Sequence, residues 1–355
     1  MRTEKVKVAI WGFGAMGSGM ARMILAKKGF EIAAVCDNRP DFVNKSVFAL
    51  LDIDRESHPD CVVQADINDA IKGKKIDVCL LATDSFTARA YPKIKYLLEN
   101  KINCISTAEE MVYPAARHPD LAAEMDRLAK ENGVAVLGAG INPGMMMDLL
   151  VLFLTGAMSD VREIKVERIN SLSPFGKTVM EEQGVGLSVE EFNQKMKDGR
   201  LAGHVGFLES ATLIAHALGL EIDEFSQKMK PIVSKVERKT RHAVVKPGYV
   251  AGCAMTARAT VGGKPFIDLV HPQQIEPELE GVKTGDYIKL TGDPAINMSI
   301  VPEVDGGIGT IAVCVNMIPH VINASPGLKL MTDLPAPRAI MGDVRKMINR
   351  GDFCD

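Results

Sequence analysis

Two adjacent acids, Glu109 and Glu110, stand directly after the short apolar run INCIST at residues 102–107. A carboxylate at the end of a buried strand can exchange protons with an amine or its hydrate, provided burial raises its pKa toward neutrality. The same pair also reads as an acidic cap for the turn that follows. A second group of residues points to a cofactor. Residues 6–37 read VKVAIWGFGAMGSGMARMILAKKGFEIAAVCD, with Gly12, Gly14 and Gly17 between an apolar run and an amphipathic segment, and Asp37 twenty residues after Gly17. The first glycine permits a tight turn, the second lets the backbone approach a pyrophosphate, and the third lets helix and strand pack closely. Phe13, Ala15 and Met16 between and beside these glycines complete a backbone cradle for the pyrophosphate at a helix N-terminus. Asp37 would accept the adenosine ribose hydroxyls and repel a 2′-phosphate, which favours NAD over NADP, whereas Arg39 two residues later would let NADP in.

Ligands of open parallel sheets bind outside the carboxyl ends of the strands. Besides the acid pair, that rule selects Ala82 and Thr83, followed by Asp84 and Ser85, and the turn Gly140–Gly144 with Asn142 and Pro143, expected to hold nicotinamide and substrate in register. In the second half, His204 in GHVGFLES could hydrogen-bond substrate or shuttle protons, or simply cap and pack a helix. Arg168 and Asn170 lie on one strand candidate and Arg258 on another; each is a candidate for the substrate's carboxylate or amine, with an exposed sheet face as the plainer reading of Arg258. Lys177 in SPFGKT follows too few glycines for a triphosphate-binding loop.

These residues need a frame. The pattern predicts an α/β Rossmann unit over 1–145, a doubly wound parallel sheet with strands at 6–10, 30–36, 76–82, 102–107 and 134–137 and helices at 16–28, 85–100 and 121–132. From residue 146 to 304 the texture becomes alternating, with strand candidates at 161–170, 249–261, 264–271, 287–291 and 298–302 and helices at 189–196 and 206–218. That predicts an α+β substrate and dimerisation domain with a mainly antiparallel sheet. Residues 305–355 are expected to form a long apolar helix and tail packing back on the Rossmann domain.

The chain has 355 residues, enough for two cores, and its 46% hydrophobic and 25% charged residues are those of an ordinary globular protein. A net charge of −3 gives no reason to expect nucleic acid or an anionic membrane as partner. The N-terminus enters a strand within a few residues, so no secretory signal fits, and the uninterrupted apolar run at 149–154 is too short to span a bilayer. Seven scattered cysteines without a CxxC pair suit reduced thiols in a cytoplasmic protein and give no metal site.

Taken together, WGFGAMG, STAEEMVYP, GAGINPGMMMD, GHVGFLES and the apolar C-terminal stretch resemble the 2,4-diaminopentanoate dehydrogenase and native amine dehydrogenase family over nearly the full length. The resemblance implies a dihydrodipicolinate-reductase-like architecture and NAD(P)-dependent oxidative deamination of the C4 amine of 2,4-diaminopentanoate to 2-amino-4-oxopentanoate, in anaerobic ornithine breakdown. It maps the family's catalytic glutamate onto the Glu109-Glu110 pair. Related Rossmann enzymes carry a cleft-facing lysine at the second position of the corresponding turn, which favours Glu110. A reductase of a cyclic imine or semialdehyde and a non-catalytic NAD(H) sensor are the competing readings. The EKP turn of sugar oxidoreductases and the DAPSGTA signature of dihydrodipicolinate reductase are both absent. A homodimer or a dimer of dimers is expected through the second domain.

Overall fold

The computed structural model describes residues 2–55 and 58–349. The chain divides into two compact units, Met1–Met145 with Gly306–Asp355, and Met146–Asp305. In the first unit, β1 (Val6–Trp11), β2 (Phe30–Cys36), β3 (Val78–Leu81), β4 (Asn103–Ser106) and β5 (Ala135–Gly138) form a parallel sheet. A sixth strand, Gly327–Lys329, continues it beyond β5, so the order is last strand–β5–β4–β3–β1–β2. The sequence reading did not contain this last strand, since three residues ending in lysine carry no periodic signal. Every residue of β3, β4 and β5 is buried. Helices cover both faces, which is why these strands read as unbroken apolar runs.

The helices show the complementary pattern. In Ala15–Leu25 the buried residues are Gly17, Met20, Ala21 and Ile24, one stripe at helical spacing. Thr87–Glu99 buries Ala90, Ile94, Leu97 and Leu98 in the same way. Pro119 opens the Pro119–Asn132 helix, and Gly133, at φ +71°, ends it in the left-handed conformation. The Gly306–Asn323 helix is, among the described residues, the one long and apolar enough to cross a membrane, with a mean hydropathy of 1.3 over 18 residues. It is mostly buried, as a core helix would be: a Cβ on Gly19 would lie 2.2 Å from Ile311 Cδ1, so it packs tightly on the first helix.

The second unit contains β6 (Asp160–Ser171), β7 (Glu224–Val233), the short pair β8 (Arg238–Lys239) and β9 (Val244–Val245), β10 (Val250–Val261), β11 (Lys264–Gln274), β12 (Gly285–Asp293) and β13 (Ile296–Ile300). Its six-stranded sheet runs β13–β12–β6–β11–β10–β7, with antiparallel neighbours except for the parallel β6–β11 pair. It is therefore mixed, with antiparallel pairing dominant. β7 is absent from the sequence reading because EFSQKMKPIV alternates poorly and contains Pro231; an edge strand, paired only with β10, tolerates both. Helices Val189–Lys197 and Phe207–Ala217 pack Phe192, Phe207 and Ile214 against Ile164, Val166 and Leu269 of the sheet.

Two local features fix the strand ends on which the chemistry depends. A Cβ on Gly138 would lie 2.1 Å from the backbone of Met111, so the end of β5 lies directly against the 3-10 turn Glu109–Val112. On β6, Ile164, Val166, Arg168 and Asn170 alternate as the buried face, which thus turns from apolar to polar along one strand.

Candidate active site

In the first unit, Gly12 follows β1 at φ +91°, and a Cβ there would lie 2.5 Å from the carbonyl oxygen of Ala82. A Cβ on Gly17 would lie 1.9 Å from the Gly12 carbonyl oxygen. Only glycine fits at either position. The Ala15–Leu25 helix has no side-chain cap at Gly14, which leaves its first N–H groups to an outside acceptor. In front of it lies a cavity of about 530 Å3, lined by Gly12, Gly14, Asp37, Arg39, Ala82 and Thr83 together with Trp11, Asn38 and Lys93. Phe13 is buried and donates its N–H to Asp37 Oδ2 at 2.7 Å. A cradle that a side chain would fill and an acid at the end of β2 fit a dinucleotide.

Asp37 is bound on both oxygens. Its Oδ1 accepts from Arg39 N at 2.9 Å and Arg39 Nε at 3.0 Å, and its Oδ2 accepts from Arg39 Nη2 at 2.9 Å. Burial alone would raise this carboxyl, but the hydrogen bonds from Arg39 and Phe13 outweigh it and hold Asp37 below the usual carboxylate value. The Arg39 guanidinium lies 3.8 Å over the Phe42 ring. Trp11, Asn38 and Lys93 are lining residues that the sequence reading missed. Lys93 Nζ reaches Asp84 Oδ2 at 2.5 Å and Thr83 Oγ1 at 2.9 Å, and nothing in the helical pattern around it sets it apart. Asn142 and Pro143 do not line this cavity; their turn rests on the C-terminal helix, where Ile141 N donates to Thr310 Oγ1 at 3.3 Å.

The acid pair divides in its own way. Glu110 is 6% exposed, and its Oε2 accepts from Thr87 N at 2.8 Å, at the start of the Thr87–Glu99 helix. Arg117 Nε and His118 Nε2 each lie 3.6 Å from its carboxylate. Glu110 thus caps the start of a helix from a different part of the chain. Glu109, the first residue of the 3-10 turn, is half-buried.

In the second unit, Arg168 is 2% exposed and is committed to Asp286 Oδ1 at 2.5 Å and the Val304 carbonyl at 2.6 Å. Its charge is neutralised in place. Asn170 is buried, and its Oδ1 has no hydrogen-bond partner. His271 joins this group: its Nδ1 lies 2.7 Å from the Arg168 carbonyl, and its ring centre 4.8 Å from that of His204, which in turn lies 5.0 Å from Phe207. A carbonyl only accepts, so His271 Nδ1 carries the proton. The sequence reading missed His271, although a signal was present: Ile267, Leu269 and His271 repeat on β11 the turn from apolar to polar seen on β6. Loss of water and the nearby Arg168 charge push His204 down to about 3. Burial, then His204 and Arg168, hold His271 well below the ordinary imidazole value. Arg258 stands apart from this group. Its side chain is 54% exposed and its fork is taken by Asp268 across the strand pair, at 2.6 and 2.8 Å. Lys177 is exposed beside Glu181.

Residues 145–350 match the model of the 2,4-diaminopentanoate dehydrogenase C-terminal domain. The chain is 56% identical over 347 residues to the 2,4-diaminopentanoate dehydrogenase of Acetoanaerobium sticklandii, covering 98% of each chain. The solved amine dehydrogenase from Mycobacterium smegmatis superposes with a TM-score of 0.85 at 23% identity, over 96% of this chain and 99% of that one. A biliverdin reductase from Synechocystis, solved with biliverdin and NADP+, gives 0.53 at 12% identity over 90% of each chain. The last two likenesses establish the fold.

The His271 environment has a consequence for stability. Its imidazole is neutral when folded and takes up a proton near pH 6.5 when unfolded, so the unfolded state binds more protons below that pH and stability falls as the pH drops. Each unit between about pH 6.5 and 5 should cost up to about 1.4 kcal/mol from this group. Urea unfolding across that range should show the slope in the native chain and a shallower one in His271→Asn; equal slopes would mean that the folded imidazole charges freely.

Proposed function

The chain belongs to the 2,4-diaminopentanoate dehydrogenase family, and we propose that it catalyses NAD(P)-dependent oxidative deamination of the C4 amine of 2,4-diaminopentanoate to 2-amino-4-oxopentanoate. Identity of 56% across 98% of both chains supports the substrate. The observation that supports the chemistry is the Glu109–Val112 turn, which carries the acid pair at the end of β4 and lies directly against the end of β5 at Gly138.

A bound nicotinamide supplies the hydride acceptor, and Gly12, Gly14, Asp37 and Thr83 would hold the dinucleotide. The rest of the reaction is proton management. The C4 ammonium must lose a proton before its carbon can release hydride, the resulting imine adds water, and ammonia leaves. Glu109 is the group proposed to accept the amine proton and pass it to solvent, and then, as the carboxylate again, to take a proton from the water adding to the iminium and return it to departing ammonia. The backbone packing at Gly138 keeps that carboxylate in place, which matters because hydride transfer tolerates little misplacement. In the second unit, Asn170, His204 and His271 form a polar group without an unbalanced buried charge. Arg168 acts as a positioning residue there, through its carbonyl on His271.

The resemblance supports a place in ornithine degradation. Six buried cysteines without disulfides support a reducing, cytoplasmic setting. Association as a homodimer or a dimer of dimers through the second sheet is part of the same reading, and sedimentation at micromolar concentration should give at least a dimer; a monomer removes it.

Glu109→Gln should cut turnover with 2,4-diaminopentanoate by roughly 10²–10⁴-fold with NAD affinity near that of the native chain. Glu110→Gln should mainly lower thermal stability. Near-normal turnover in Glu109→Gln would refute the assignment. For the cofactor, Asp37→Ala removes the repulsion of a 2′-phosphate and frees Arg39 to bind one, so the ratio of kcat/KM for NADP+ to that for NAD+ should rise. A native preference for NADP+, or an unchanged ratio, would count against the ribose role of Asp37.

A further inference from the structure

We propose that the first unit carries a second small-molecule site, for a phosphate monoester with an apolar body, in a cavity at the carboxyl end of the Gly306–Asn323 helix. The cavity measures about 530 Å3, within the range of small-molecule sites, and shares no lining residue with the dinucleotide cavity. Lys329, Arg338 and Lys346 converge on it from three separate segments, against the single carboxylate of Asp333. Among the described residues none of the three cations has a salt-bridge partner, whereas Asp333 Oδ2 is occupied, accepting from Leu330 N at 2.8 Å. Three positive groups facing one acid leave two charges to be balanced, which matches a phosphate monoester near neutral pH.

His320 makes this a built site. It is 7% exposed, lines the cavity, and its Nε2 has no hydrogen-bond partner. A buried imidazole nitrogen is costly to leave unpaired, and a phosphate oxygen would accept from it. Burial and the Arg338 charge hold this imidazole below its ordinary value, so the ring serves as a neutral donor beside the cations. Arg338 presents a planar fork suited to two phosphate oxygens. The other wall is apolar, with Pro319, Leu334, Pro335 and Met347, and would cover the organic part of the ester. A bare inorganic ion would leave that wall unused.

The test is calorimetry on the full chain saturated with NAD, so that the dinucleotide cavity is filled, using phenyl phosphate as probe. One equivalent should bind with a sub-millimolar Kd, inorganic phosphate should bind more weakly, and benzoate, a monoanion with the same ring, more weakly still. Arg338→Ala and Lys346→Ala, both at exposed positions, should each weaken phenyl phosphate by about tenfold, the loss of one charge-assisted hydrogen bond. Histidine-selective nitrogen NMR should show the His320 ring shifting on titration. No binding at about ten millimolar, far above any useful affinity, would overturn the proposal. So would binding that both variants leave unchanged, inorganic phosphate as tight as the ester, or benzoate as tight as phenyl phosphate.

Discussion

A parallel sheet covered on both faces has only its strand ends in reach of water, and the dinucleotide cavity and the acid-bearing turn of the first unit follow from that constraint. β3, β4 and β5 have no exposed residue to offer. Polar side chains can act only where the backbone leaves the sheet, and backbones leaving neighbouring strands crowd each other. Glycine relieves the crowding at two places. Gly12 passes beside the Ala82 carbonyl after β1, and Gly138 lies on the Met111 backbone at the end of β5. The first contact opens a dinucleotide cradle. The second presses the Glu109–Val112 turn onto the sheet and gives a carboxylate a fixed position.

Charge inside both units is handled by pairing or by neutrality. Arg168 meets Asp286, Arg238 is enclosed by Glu280 and two backbone carbonyls, and Glu110 closes a helix start near Arg117 and His118. Breaking such a pair strands a buried charge, at a cost of about 3–5 kcal/mol. His204 and His271 of the second unit take the other route and stay uncharged. The result is a polar group in the second unit with little net field of its own.

Much of this was legible in the residues. The glycine spacing, the acid at position 37 and the apolar runs identify the nucleotide-binding unit, because close backbone approach and burial on both faces leave marks in composition. Alternation revealed β6, β10 and β11 for a similar reason: one face of each is core. β7 escaped, since an edge strand with lysines and a proline is stabilised by its one neighbour rather than by its own pattern. The short strand at 327–329 escaped because its only support is β5.

The sequence by itself determined which residues stand at strand ends, since local periodicity is enough to end a strand. It did not determine what those residues touch. Glu109 and Glu110 are chemically alike and adjacent, and only the arrival of the Thr87–Glu99 helix start, twenty-three residues upstream, gives Glu110 the Thr87 N–H as a partner. Arg258 and Arg168 both sit on alternating strands, yet one pairs with Asp268 on an open face and the other with Asp286 in the core. His271 reaches the Arg168 carbonyl only because β11 lies beside β6. Partners far apart in the chain are chosen by packing, and packing is what a linear pattern does not carry.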